Sequence, residues 1–303
     1  MYASTENGHS LWREIIESTK NIYKSHFGHF QAISILFLFP ITFSLIVYPS
    51  FHLAIFHPDY HFVVSSFEII ILVLYALFLS LFFICGVGTT LYSAVQVFYY
   101  RPINVVSSIK SLRNSFFPLL STFILSQTIF ISINLLFALI LAFLTRILKF
   151  DSNHSLYLVI FSLIVLVPIL IWLQVNWSLS YVITVVESKK GYETIRRSMK
   201  LVKGKRWVAF GILMYYVPVI VFMVVCCAML LEKGEQWRSF RGILLPLLCS
   251  VMGYILMNQY IVVNVVLYMQ CKELNGEKFS SEIVAGEYVS LPFEEDEKNH
   301  IVV

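Results

Sequence analysis

The chain has 303 residues, of which 58% are hydrophobic, 16% aromatic and only 13% charged, with 22 Lys and Arg against 18 Asp and Glu for a net charge of +4. Water-soluble domains run at about 45–50% apolar and about 25% charged, and a mean hydropathy of +0.77 lies far from that norm. The balance excludes a large soluble catalytic domain and points to a polytopic membrane protein.

Residues 1–29 form the first unit, expected as a cytosolic amphipathic helix with Leu11, Ile15, Ile16, Ile22, Tyr23 and Phe27 on one face. Glu6, Glu14 and Glu17 stand ahead of the first apolar run, so no cleavable signal peptide is expected and the first span is its own anchor. Uncharged runs longer than the ~20 residues that cross a bilayer then give a membrane domain over 30–269. Its six spans fall near 30–50, 67–98, 117–145, 156–186, 207–231 and 243–269. Pro40, Pro49, Pro118, Pro168, Pro218 and Pro246 lie in or beside these runs, where neighbouring helices can satisfy the carbonyls they free.

The loops between spans alternate in charge. The segments at 1–29, 99–116, 187–206 and after 270 carry 17 Lys and Arg, and the alternate loops carry 5. Translocation is biased against basic residues in short loops, so this asymmetry places both termini in the cytosol. Asn153-His154-Ser155, an N-glycosylation acceptor pattern, then falls on the non-cytosolic side. The cytosolic segments before the odd-numbered spans recur at intervals of 90 and 89 residues, as Ile16, Val106 and Ile195, then Ile22, Leu112 and Leu201, then Ser25, Ser115 and Gly204. The expected fold is thus all-α, six transmembrane helices in three repeats of an interfacial helix plus two spans. Three such repeats also occur in mitochondrial carriers, but the P-x-[DE]-x-x-[KR] signature of that family is absent at Pro40 and Pro118.

The loop at 187–206 is the most distinctive. Lys189, Lys190, Arg196, Arg197, Lys200, Lys203, Lys205 and Arg206 outweigh Glu187 and Glu193, a surplus suited to anionic lipid headgroups at the cytosolic leaflet. Glu187 is placed to pair with Lys189, Arg196 or Arg197 and to fix the loop. Amides inside the spans offer a second reading, a polar seam of Gln127, Asn134, Gln174, Asn176 and Asn264 that a small solute could follow. The cysteines Cys85, Cys226, Cys227 and Cys249 lie in apolar runs as small hydrophobes, and Cys271 stands at the end of the last span, where palmitoylation is found. His52, His57, His61 and Asp59 read as a solvated loop, and no catalytic or metal motif is present. The tail 270–303 is acidic and expected to be disordered, with Tyr288-Val289-Ser290-Leu291 fitting a sorting pattern.

Residues 185–207, running Val-Val-Glu, then Gly191, then Arg197-Ser198-x-x-Leu201-x-x-Gly204 and Trp207, resemble the loop of a widespread group of six-span proteins. Together with Leu11-Trp12-x-Glu14-Ile15 and Phe37-x-Phe39-Pro40-x-x-Phe43-Ser44, they make the whole chain resemble a plant family of six-span membrane proteins. It is more distantly similar to the membrane domain of bacterial glycerophosphodiester phosphodiesterases. That resemblance implies structural roles for Glu187, Gly191, Ser198, Gly204 and Trp207 and no enzymatic activity, since the catalytic barrel is absent. The expected partners are membrane lipids rather than nucleic acid, with no cofactor.

Overall fold

A computed structural model describes residues 2–56, 66–148, 152–231 and 240–276. These residues are helical almost throughout and contain no strand. The helices are α1 (Tyr2–Ser25), α2 (Phe27–Ile33), α3 (Phe39–Phe56), α4 (Ser66–Phe98), α5 (Val105–Leu148), α6 (Ser152–Trp177), α7 (Ser180–Val186), α8 (Tyr192–Val202), α9 (Arg206–Leu231) and α10 (Phe240–Leu274). A π-helical turn, Ser34–Leu38, joins α2 to α3. Six stretches are long and apolar enough to cross a membrane, namely Phe27–Tyr48, Ser66–Phe98, Val105–Arg146, Ser162–Val186, Arg206–Cys227 and Leu244–Leu274. Continuous helix is what hydrocarbon demands, because each backbone amide finds its acceptor within the same segment.

Two sequence expectations are corrected. The interfacial helix before the third span and the span itself are one helix, α5, running through Pro118. The carbonyl freed by the missing proline N–H is that of Asn114, one turn earlier, while Thr122 makes an ordinary side-chain bond to the Pro118 carbonyl at 3.0 Å. On its N-terminal part, Val106 is 70% exposed while Ser108 and Ser115 are buried. A helix wedged between bilayer and protein can turn its apolar residues outward to lipid and small hydroxyls inward, the reverse of the pattern in a soluble domain. The second correction concerns cysteine, for Cys227 of α9 and Cys249 of α10 are paired as a disulfide at the end of the bundle remote from α8. Cys271 is buried in the core and offers no accessible thiol for acylation. Asn153 stands in the first turn of α6. His57, Asp59, His61 and the tail beyond Gly276 lie outside the described residues.

Packing is uneven along the membrane normal. At the α8 end, the last turns of α4, the whole of α7 and the last turns of α10 form a core in which Ala94, Ile183, Val262, Val263, Val265 and Tyr268 have no exposed surface. α1 packs on it through Ile15 and Tyr23, and α8 through Leu201 and Val202. At the other end, α4 from Phe67 to Leu81, α5 from Ile131 to Leu144 and α6 from Ile160 to Ile169 expose most of their large apolar side chains.

Small residues set the helix approaches in the dense half. A Cβ at Gly88 would lie 2.9 Å from methyl carbons of both Leu112 and Leu119, which brings α4 hard against α5. Gly88→Val should therefore cost about 1–3 kcal/mol through overpacking, read as a lowered melting temperature in detergent. Gly28→Ala, where nothing lies within 4 Å, should melt like the parent protein.

Candidate functional site

The segment from α7 to α9 is built around one carboxylate. α7 ends at Val186, and Ser188 and Gly191, with φ of +53° and +59°, turn the chain into α8. Glycine suits the second position because L side chains rarely adopt that backbone. The Gly191 amide donates to Thr122 Oγ1 at 3.1 Å, and Thr122 lies 3.1 Å from Thr184 Oγ1, so the turn is seated on α5 and α7. Ser198 donates to the Asn176 carbonyl at 2.7 Å, fixing α8 to α6. Gly204, at φ +95°, ends the helix turn that leads to α9.

Glu187 accepts from Lys189 Nζ at 2.8 Å, Arg197 Nε at 3.4 Å and Tyr268 Oη at 3.0 Å. Burial alone would raise its pKa. The hydrogen bonds from Lys189 and Tyr268 and the positive charges of Arg197 and Lys189 outweigh that, and hold it below the usual Glu range. The expected loop carboxylate is thus present, with Lys189 and Arg197 rather than Arg196 as its cationic partners and with Tyr268 of α10 as a third. A tyrosine in an apolar run gives no sequence signal of such a role.

Once Lys189 and Arg197 serve Glu187, all but one of the remaining basic side chains of the loop face outward. Lys190, Arg196, Lys200, Lys203 and Arg206 are exposed, and none has a carboxylate partner among the described residues. Lys205 is half-buried. Tyr192 is 64% exposed at one end of α8, and Trp207 is 86% exposed beyond the other. The Arg206 guanidinium lies 5.8 Å from the Trp172 ring centre, a cation–π contact. Trp207, expected to have a structural role in the loop, is exposed and meets Phe210 in a T-shaped ring contact. Cations flanked by exposed Tyr and Trp have the chemistry of a headgroup boundary, where aromatic belts sit.

The amides divide. Gln127 and Gln174 line one cavity of about 300 Å³ with Ser126, Ser180 and Tyr181, and an adjoining hollow of about 90 Å³ brings Gln174 together with Asn264. Ser126 Oγ is 3.3 Å from Tyr181 Oη in its wall. Asn134 does not join them, since it is exposed and donates to the Phe130 carbonyl of its own helix at 2.7 Å. Asn176 is buried beneath α8 and donates to the Trp172 carbonyl. The five-residue seam is corrected to three amides supplemented by Ser126, Ser180 and Tyr181.

Among the described residues this is a multi-pass arrangement of helices with an ion-paired turn, an outward cationic helix and a polar hollow between spans. Residues 61–291 match the family described as Domain of unknown function (DUF8558), and the chain belongs to that family. No curated protein and no solved structure matches it.

Because the folded-state pKa of Glu187 is depressed, its stabilisation is fully present above the ordinary Glu value of about 4.3 and is lost as pH falls through the lower folded value. Glu187→Gln should cost about 1–3 kcal/mol at neutral pH, as expected for hydrogen bonds to a charged group. Thermal melts across the acid range should show the parent losing stability on acidification and the variant losing much less.

Proposed function

We propose that the protein is a non-catalytic integral membrane protein that holds anionic lipid headgroups of the cytosolic leaflet on α8 and the turn after it. The observation that carries this reading is the set of exposed cations at Lys190, Arg196, Lys200, Lys203 and Arg206, without carboxylate partners among the described residues, accompanied by exposed Tyr192 and Trp207. The loop asymmetry of 17 against 5 basic residues supports a cytosolic placement of this face and of both termini. A disulfide at the opposite end suits the same orientation, since such bonds persist in oxidising compartments. The likeness of residues 185–207 to a non-catalytic bacterial membrane domain points the same way.

The architecture we infer is three units of an interfacial segment plus two spans, the segment of the second unit running straight into its span as α5. Supporting it, Thr19, Ser108 and Ser198 are buried hydroxyls separated by 89 and 90 residues, one on each interfacial segment. Ser108 and Ser198 each reach a second span of the preceding unit, Ser108 lying 2.8 Å from Ser93 Oγ and Ser198 bonding the Asn176 carbonyl. α1 in turn packs on α10.

A second reading rests on the Gln127–Gln174 cavity, which could pass or hold a small polar solute between spans.

Each exposed basic residue near an anionic surface contributes roughly 1 kcal/mol. The triple charge reversal Arg196→Glu, Lys200→Glu, Lys203→Glu should therefore weaken binding to anionic nanodiscs by at least about 100-fold at low salt, with no change in melting temperature. Unchanged, salt-insensitive binding would overturn the lipid reading. In proteoliposomes, Gln127→Leu with Gln174→Leu should abolish solute flux if the second reading holds and leave lipid binding intact.

A further inference from the structure

α1 does not close fully onto the bundle. Ile15, Thr19 and Tyr23, spaced by four, are its buried row. The adjacent row, Trp12 and Ile16, is only half-buried. Trp12 sets the spacing, since its ring carbons come within 3.2 Å of where a Cβ at Gly211 of α9 would stand. Further along, the helices part around a hollow of about 430 Å³ with Tyr215 and Tyr216 of α9 and Gln259 of α10 as its far wall. A shallower hollow continues it past Arg13 and Glu17.

The rim of the deeper hollow is cationic. Lys20 and Lys24, one turn apart on α1, are both exposed, and neither has a carboxylate partner among the described residues. No acidic residue lines it. Below the hollow, Tyr215, Val219 and Phe222 stand at i, i+4 and i+7 on α9 and are 58%, 44% and 69% exposed, an apolar stripe leading away from the lysines along the span.

A cationic rim, a phenol- and amide-lined hollow and an apolar stripe in that order match the parts of one phospholipid. We propose that this groove is a discrete phospholipid site, with the lipid phosphate between the Lys20 and Lys24 ammonium groups and an acyl chain along Tyr215, Val219 and Phe222. A free phosphate would use the lysines and leave the stripe bare, so the occupant is the lipid. The site is separate from the cationic face of α8: one is a surface that attracts many headgroups, the other a seat for a single molecule.

The test takes the full chain from phosphatidylcholine nanodiscs containing a minor fraction of phosphatidylglycerol, followed by native mass spectrometry of the lipid retained. The parent protein should keep one phosphatidylglycerol. Lys20→Ala with Lys24→Ala should lower its retention by about 30-fold, and Gln259→Trp, which fills the hollow without touching a charge, should lower it as well. The α8 triple variant should retain the lipid, so this site can stand or fall independently of the proposed leaflet binding. Retention unchanged by both groove variants would overturn the proposal. So would displacement of the lipid by glycerophosphate, which has the phosphate and no chain.

Discussion

Hydrocarbon offers a helix nothing to hydrogen-bond, so each side-chain hydroxyl or amide carried into it must find a partner on its own helix or on another. The helices of this protein are positioned by the second kind of solution. Asn258 of α10 donates to the Phe30 carbonyl and to Ser34, where the π-helical turn departs from regular α-helical bonding. Thr42 of α3 reaches the Ser250 carbonyl at 3.0 Å. His29 Nε2 lies 2.9 Å from Ser93 Oγ, and Ser93 lies 2.8 Å from Ser108 Oγ, so α2, α4 and α5 share one chain of contacts. Thr122, Thr184 and the Gly191 amide do the same for α5, α7 and the turn before α8. Most of these contacts gather toward the α8 end, where the apolar core is also densest.

The basic loop shows how a charged segment can be both fixed and available. Glu187 draws Lys189 and Arg197 inward and is tied to α10 through Tyr268, which anchors the turn in the protein. Ser198 holds the middle of α8 to α6. With the helix seated by those contacts, Arg196, Lys200 and Lys203 have no structural duty and project outward. A cationic face carried on a rigid support keeps its charges at a fixed spacing, which a mobile loop of equal charge would not.

Much of this was legible from the residues alone. The six apolar stretches emerge from composition, and the ion-paired turn from a Glu placed two and ten residues ahead of Lys189 and Arg197 at the end of a span. The helix boundaries and seam were less legible, because both depend on neighbours. Pro118 reads as an interruption until α5 is seen to run through it from Val105 to Leu148. Gln127 and Asn134, seven residues apart on one helix, look equivalent, yet only Gln127 meets Gln174 across the cavity, while Asn134 satisfies itself on its own backbone. Cys227 and Cys249 lie 22 residues apart on different helices, and nothing in their local sequence distinguishes them from Cys85 or Cys226. Tyr268 and the Lys20–Lys24 rim share that property: their meaning comes from the helix opposite.

The unequal packing of the two halves has a mechanical side. In the half remote from α8, the exposed flanks of α4, α5 and α6 meet acyl tails rather than one another, so lipid sets their inclination more than protein contacts do. A thicker or thinner bilayer changes the tilt that such lipid-solvated helix ends adopt at a cost of only fractions of a kcal/mol per Å, while the hydrogen-bonded half stays rigid. Gln127 and Gln174 lie where these two regimes meet, so a change in bilayer thickness would act on one flank of the hollow they line and not on the other.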